Sequence, residues 1–183
     1  FDCGEGTQQR MMKYDASINL DAIFLSHFDS DHTLGLPGLL RTMDMNNRDR
    51  PLDIYISGDV SEKLKLLIAG PHGWPEYKVK INEINSEGSV TEFSNFCVNC
   101  FNTKHDQSSY GYIIQEDTRS GRLNAEKLKT EYNLEPSCKY GELKKGNSEE
   151  NDNGEVIHTK DVIGPKRSGR KLVYIGDCST SSE

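Results

Sequence analysis

The segment Ser26-His27-Phe28-Asp29-Ser30-Asp31-His32 constrains this chain more than any other. It sets four metal-capable side chains, His27, Asp29, Asp31 and His32, into one short stretch. The apolar run Ala22-Ile23-Phe24-Leu25 precedes it, and Gly35-Leu36-Pro37-Gly38 follows. A buried strand that ends in a tight loop can aim imidazoles and carboxylates at one point. Mixed nitrogen and oxygen donors suit zinc or a similar divalent ion. The competing reading is a polar loop in which Asp31 or Thr33 caps a helix. Four such ligands so close together favour the metal.

The chain has 183 residues, of which 34% are hydrophobic and 28% charged. That is enough for one domain with a buried core. No apolar stretch is long enough to cross a bilayer, and no signal peptide is visible. Phe1-Asp2 reads as the end of a strand already under way, and Tyr174-Ile175-Gly176-Asp177 as a strand running into a loop. The expectation is a fragment of a longer protein. Five cysteines cannot all pair with one another, which favours a reducing, cytoplasmic setting. Cys97 and Cys100 lie in a strand-like run, where residues three apart face opposite sides. They read as packed thiols. The net charge of −7 argues against a generally basic nucleic-acid binder. It leaves room for local patches at Lys144-Lys145 and at Lys166-Arg167-Ser168-Gly169-Arg170-Lys171, which on their own read as solvated loops.

Along the chain, the Gly-rich turn Cys3-Gly4-Glu5-Gly6-Thr7 leads into a short helix over 8–12, with Thr7 as its cap. Strands are expected at 22–25, 52–56, 78–84, 90–93, 96–103 and 110–115, and helices at 39–45 and 61–69. Residues 118–168 are polar, with one short helix near 124–132, a flexible acidic loop at 147–154 and little core material. An excursion of about fifty residues exceeds ordinary loop lengths. Lys171-Leu172-Val173-Tyr174-Ile175 returns to the core. His72 reads as a surface residue in a Pro/Gly turn, and His158 as structural.

Several motifs carry a resemblance. Phe1-Asp2-Cys3-Gly4-Glu5-Gly6-Thr7-Gln8, the loop from Ser26 to His32, and Gly35-Leu36-Pro37-Gly38-Leu39-Leu40 resemble ribonuclease Z. These enzymes are tRNA 3′-processing endonucleases of the metallo-β-lactamase superfamily. His105 ahead of Gly111-Tyr112, the run Gly141 to Gly146, Asp161 to Pro165, and Gly169 to Asp177 continue the likeness in the same order.

The resemblance implies an α+β fold, the αββα sandwich, here incomplete and carrying a protruding arm. Residues 1–117 would form the first part of the core, 118–168 an exosite-like arm, and 169–183 the truncated return. His27, Asp31, His32, His105 and Asp177 match metal ligands of the family, and Asp2 a carboxylate that braces the ligand loop. Asp177 would bridge two zinc ions, and Asp31 would also orient the attacking water. Asp29 stands where the family has a histidine. A weakened site, a shift toward manganese or iron, and a degenerate copy all remain open. The implied substrate is precursor tRNA, cut by metal-activated hydroxide, with no DNA or membrane partner; a homodimer is compatible. Lys144, Lys145, Lys166, Arg167 and Arg170 are the candidate RNA contacts. A further histidine ligand and a histidine that protonates the leaving group are expected beyond Asp177, where no histidine follows. Rival readings are another hydrolase of the same fold, acting on a phosphodiester or thioester, and a metal-depleted RNA-binding relative.

Overall fold

The computed structural model describes residues 1–71, 73–105 and 108–179. The chain divides into two compact units, Phe1–Ile114 with Leu172–Glu183, and Gln115–Lys171.

The first unit is layered. Strands β1 (Ala22–Phe24), β2 (Leu52–Ser57) and β3 (Val79–Ile84) form a parallel sheet in that order. Parallel strands are covered on both faces, and alternation along them decides which layer each side chain joins. Ile23, Leu52, Ile54 and Ile56 pack with Leu36, Leu39, Leu40 and Met43 of α3 (Leu36–Met45) and with Leu64 and Ile68 of α4 (Ser61–Ala69). Phe24 points the other way. It joins Ile84, Val98, Cys100, Tyr110 and Tyr112 in a second core, shared with the sheet of order β4-β5-β6-β9. Those strands are β4 (Gly88–Glu92), β5 (Phe96–Asn102), β6 (Tyr110–Glu116) and β9 (Lys171–Tyr174). Phe24 stacks on Tyr55 at 4.6 Å and meets Tyr112 edge-on at 5.4 Å. Such pairs are worth about 1 kcal/mol beyond the area they bury. The result is helix on sheet on sheet, an α+β sandwich.

Some expected elements shift. The first helix, α1, is Thr7–Lys13, so Thr7 lies inside it; its hydroxyl donates to the Gly4 carbonyl instead of capping. α3 begins at Leu36, three residues before the expected start, because Pro37 sits in the first turn, where its missing N–H costs nothing. Phe1-Asp2 is not strand. Asp2 has φ +47° and donates its N–H to the Phe24 carbonyl at 2.8 Å.

The second unit overturns the expectation of a core-poor excursion. Leu128, Leu134, Leu143, Ile157 and Val162 are buried together. They come from α5 (Ala125–Thr130), α6 (Cys138–Lys145), α7 (Thr159–Val162) and their connections. Asn124 caps α5 by accepting the Lys127 N–H at 2.9 Å. The expected flexible acidic loop is a small hairpin, β7 (Glu149–Glu150) against β8 (Val156–Ile157). Buried Asn151 organises its turn: its side-chain oxygen accepts the N–H groups of Asn153 and Glu155, and its amide donates to the Tyr132 carbonyl.

Candidate metal centre

The site is built where β1 ends. Leu25 donates its N–H to the Tyr55 carbonyl at 2.9 Å. The buried Tyr112 hydroxyl donates to the Leu25 carbonyl at 2.6 Å. The chain thus enters the ligand loop from a fixed point, with Ser26 and His27 wholly buried. A single helical turn, α2 (Ser30–Thr33), follows at once. Neither Asp31 nor Thr33 caps it. Asp29 holds the capping position without a side-chain capping bond, and the Thr33 hydroxyl donates back to the Asp29 carbonyl.

The Cys3-Gly4 turn threads against this loop. Cys3 N–H meets the His32 carbonyl at 2.8 Å, and Gly35 N–H meets the Cys3 carbonyl at 2.9 Å. A Cβ on Gly4 would fall 1.8 Å from the Asp31 carbonyl oxygen, and one on Gly35 would fall 1.9 Å from that of Gly4. Only glycine permits backbones this close.

Asp2 is the hub. Its Oδ1 accepts the Ser26 N–H at 2.6 Å. Its Oδ2 accepts the hydroxyls of Ser26 at 2.8 Å and Tyr174 at 2.6 Å, and lies 2.7 Å from His32 Nδ1. Burial pushes the Asp2 carboxyl up, but the bonds from Tyr174, Ser26 and His32 outweigh it and hold it below the usual range. Burial also pulls His32 down, yet the Asp2 bond and charge, with Asp31 and Asp177, leave it raised. His27 is lowered, by burial first and then by the neighbouring His32, against the pull of Asp29.

The imidazoles cluster. The His27 ring lies 4.1 Å from His32 and 4.6 Å from His105, centre to centre. Two groups of ligand atoms each fall within 4.8 Å of one another: His27, His32 and Asp177, and His27, Asp29 and His105. His32 Nε2 lies 3.4 Å from Asp177 and 3.5 Å from Asp31; Asp29 lies 3.3 Å from His27 Nε2 and 3.7 Å from His105 Nε2. Among the described residues, His27 Nε2 is the one buried side-chain nitrogen or oxygen without a hydrogen-bond partner, because the nearby Asp29 oxygen misses hydrogen-bond geometry. An orphaned imidazole nitrogen between carboxylates is what a divalent cation would satisfy. The donor set, imidazole nitrogen with carboxylate oxygen in each group, fits such an ion.

The residues singled out in the sequence are placed unequally. His27, Asp29, His32, His105 and Asp177 converge, braced by Asp2. Asp31 stands outside both groups, with its carboxylate largely exposed. It lines an open cavity of about 510 Å³ with Phe1, Glu5, Arg10 and Leu34. The Ser179 N–H on the Lys104 carbonyl, 2.7 Å, ties the segment after Asp177 to the residue before His105. Lys144 and Arg167 line a cavity of about 530 Å³ with Arg122 and Tyr140. Lys145 is paired with Glu142 at 2.6 Å, Arg170 is held by Glu116, and Lys166 is exposed. His158 lies 3.2 Å from the Ser148 hydroxyl, and His72 falls outside the described residues. Sequence reasoning missed Ser26, Tyr112 and Tyr174, whose hydroxyls hold the loop. No spacing rule marks a hydroxyl as a brace.

Comparison with known proteins agrees with this geometry. Residues 1–122 match the family described as Beta-lactamase superfamily domain. Over 97% of its length the chain is 39% identical to ribonuclease Z of Haloarcula marismortui. Over the same share it is 40% identical to that of Archaeoglobus fulgidus. It spans 57% of the length of each of these relatives. The crystal structure of human tRNase Z, short form, superposes with a TM-score of 0.56 at 26% identity, over 63% of this chain and 52% of that one. With the sandwich, the ligand loop at the end of β1 and the matched first two-thirds in agreement, the chain belongs to the β-lactamase superfamily, and within it resembles ribonuclease Z.

Proposed function

We propose that the whole gene product is a metal-dependent endoribonuclease that removes the 3′ trailer from precursor tRNA. The observation that carries this reading is the pair of ligand groups sharing His27, beside an open cavity, in a chain so similar to ribonuclease Z. His27, Asp29 and His105 would hold one divalent ion, and His32 and Asp177, with Asp31, a second. Bound ions supply water that ionises at neutral pH and offset charge on the phosphoryl oxygens. Asp2 keeps the loop in place through Ser26 and His32. Asp31, exposed 3.5 Å from His32 Nε2, would orient the attacking water. Zinc is the expected ion. Asp29 makes its group harder and more anionic than a histidine would, which also suits manganese or iron. The second unit would serve as the arm that grips the tRNA body, with Arg122, Lys144 and Arg167 as its phosphate contacts. The five free cysteines fit a reducing, cytoplasmic setting. Among the described residues no helix is long and apolar enough to cross a membrane.

Precursor tRNA incubated with the whole gene product and zinc tests the reading. The expected products are a tRNA ending in a 3′ hydroxyl and a trailer with a 5′ phosphate. Hydrolysis of a small phosphodiester alone, with intact tRNA, would overturn the tRNA assignment. Asp29 motivates a second reading, a relative with an impaired metal site. Metal analysis beside Asp29→His separates the two: the first predicts bound divalent metal in the native protein, the second a large gain only in the variant.

A further inference from the structure

We infer that Ser26 is a positioning residue that fixes the tautomer of His27, relaying the orientation set by Asp2. Ser26 is wholly buried, and a Cβ on Gly176 would lie 2.5 Å from its Oγ, so the hydroxyl has little freedom to swing elsewhere. Its oxygen has two polar neighbours of opposite demand, Asp2 Oδ2 at 2.8 Å and His27 Nδ1 at 2.9 Å. A hydroxyl has one proton to give. The Asp2 carboxylate already accepts the Ser26 N–H and the Tyr174 hydroxyl, and it offers lone pairs only. The Ser26 proton therefore goes to Asp2, and the Ser26 lone pair must accept from His27. That places the His27 proton on Nδ1 and leaves a lone pair on Nε2, the buried atom with no hydrogen-bond partner at the shared corner of both ligand groups.

Asp29 pulls the other way, since its carboxylate could take a proton from Nε2. That approach is longer, 3.3 Å, lacks hydrogen-bond geometry, and comes from a side chain that is 43% exposed to water. The shorter, buried Ser26 bond wins. His32 has the same arrangement without a relay, Nδ1 on Asp2 at 2.7 Å and Nε2 toward Asp177. One carboxylate thus aims two imidazoles, one directly and one through a hydroxyl. A carboxylate behind a histidine usually raises ligand basicity and fixes ring orientation, and losing it costs ten- to hundredfold in metal affinity.

The consequence for metal affinity rests on the proposed metal centre; the tautomer does not. Nitrogen-15 NMR of the histidine rings in metal-free protein, above the pH at which the rings carry charge, reads the tautomer directly. The native protein is expected to show His27 protonated on Nδ1. Ser26→Ala should abolish that dominance and weaken zinc binding about tenfold in a chelator competition, and Ser26→Thr, which keeps the hydroxyl, should restore both. A native His27 protonated on Nε2 overturns the proposal even if Ser26→Ala does not fold, and so does an unchanged tautomer in folded Ser26→Ala. Tight zinc with the wrong tautomer defeats the relay alone; the expected tautomer with no zinc binding defeats the metal reading alone.

Discussion

The two units hold their key carboxylates by opposite means. In the first, Asp2 is taken out of water and surrounded by donors from Ser26, His32 and Tyr174, residues far apart in the chain. In the second, Glu116 is half-buried and is gripped by the exposed Arg170, at 2.8 Å from Nε and 2.5 Å from a terminal guanidinium nitrogen. The buried hub fixes geometry, because each donor left unpaired there would pay a desolvation cost. The exposed clasp joins the two ends of its unit, beside the backbone bond from Glu116 N–H to the Arg170 carbonyl, and is screened by solvent. Precision is spent on the ligand loop; the second unit needs only to stay closed.

The largest expected effect tests whether His27 and His105 serve the same ion. His27→Ala removes the free Nε2 lone pair and should lower the affinity for that zinc by more than the roughly ten- to hundredfold that loss of an outer partner costs. His105→Ala should weaken the same ion and spare the one assigned to His32 and Asp177. Loss of both ions in either variant would show that the two groups do not hold separate ions.

The next tests the independence of the second core. Leu143 is wholly buried among Leu128, Leu134, Ile157 and Val162. Leu143→Ala should cost about 3 kcal/mol, read as lost hydrogen-exchange protection within 115–171. If the amides of β1 and β2 lost protection equally, the two cores would be one cooperative unit.

A smaller effect is expected where the loop is anchored. Tyr112→Phe keeps the packing against Phe24 but strips the Leu25 carbonyl of its 2.6 Å donor. The loss should be about 1.5 kcal/mol in chemical denaturation. Burial raises the Tyr112 hydroxyl well above its ordinary range, so the donor is present at any working pH. An unchanged denaturation midpoint would mean that water replaces the hydroxyl.

The same contrast explains what could be read from the sequence. His27, Asp29 and His32 were legible because a buried strand delivers them and their chemistry has few other uses. β2 and β3 were legible from alternation, as in Lys78 to Ile84. The hydroxyls of Ser26 and Tyr174 were not, because a serine before a ligand and a tyrosine in a strand look the same whether or not they brace a carboxylate. The second unit hid its core for a related reason. α6 buries only Leu143, and within Cys138–Lys145 one leucine among lysines gives no visible apolar stripe. Asn151 reads as loop, and its burial appears only when its side-chain bonds are seen.

The smallest effect bears on the clasp. The bonds and charge of Arg170 bring the Glu116 carboxyl down to about 2, against the small upward push of its surroundings. The folded-state value is depressed, so the stabilisation is complete above the ordinary carboxylate range and is lost as pH falls through about 2. Arg170→Ala should leave only a shallow loss of thermal stability at neutral pH and should flatten the acid limb below pH ~4. Molar salt should mimic the variant, because the Arg170 guanidinium of the pair is exposed to water. The bonds around Asp2 should hardly respond to salt, since Asp2 and His32 are both largely buried and salt screens buried charges far less. If salt loosened the first unit as much as the second, the contrast between a buried hub and a solvated clasp would be wrong.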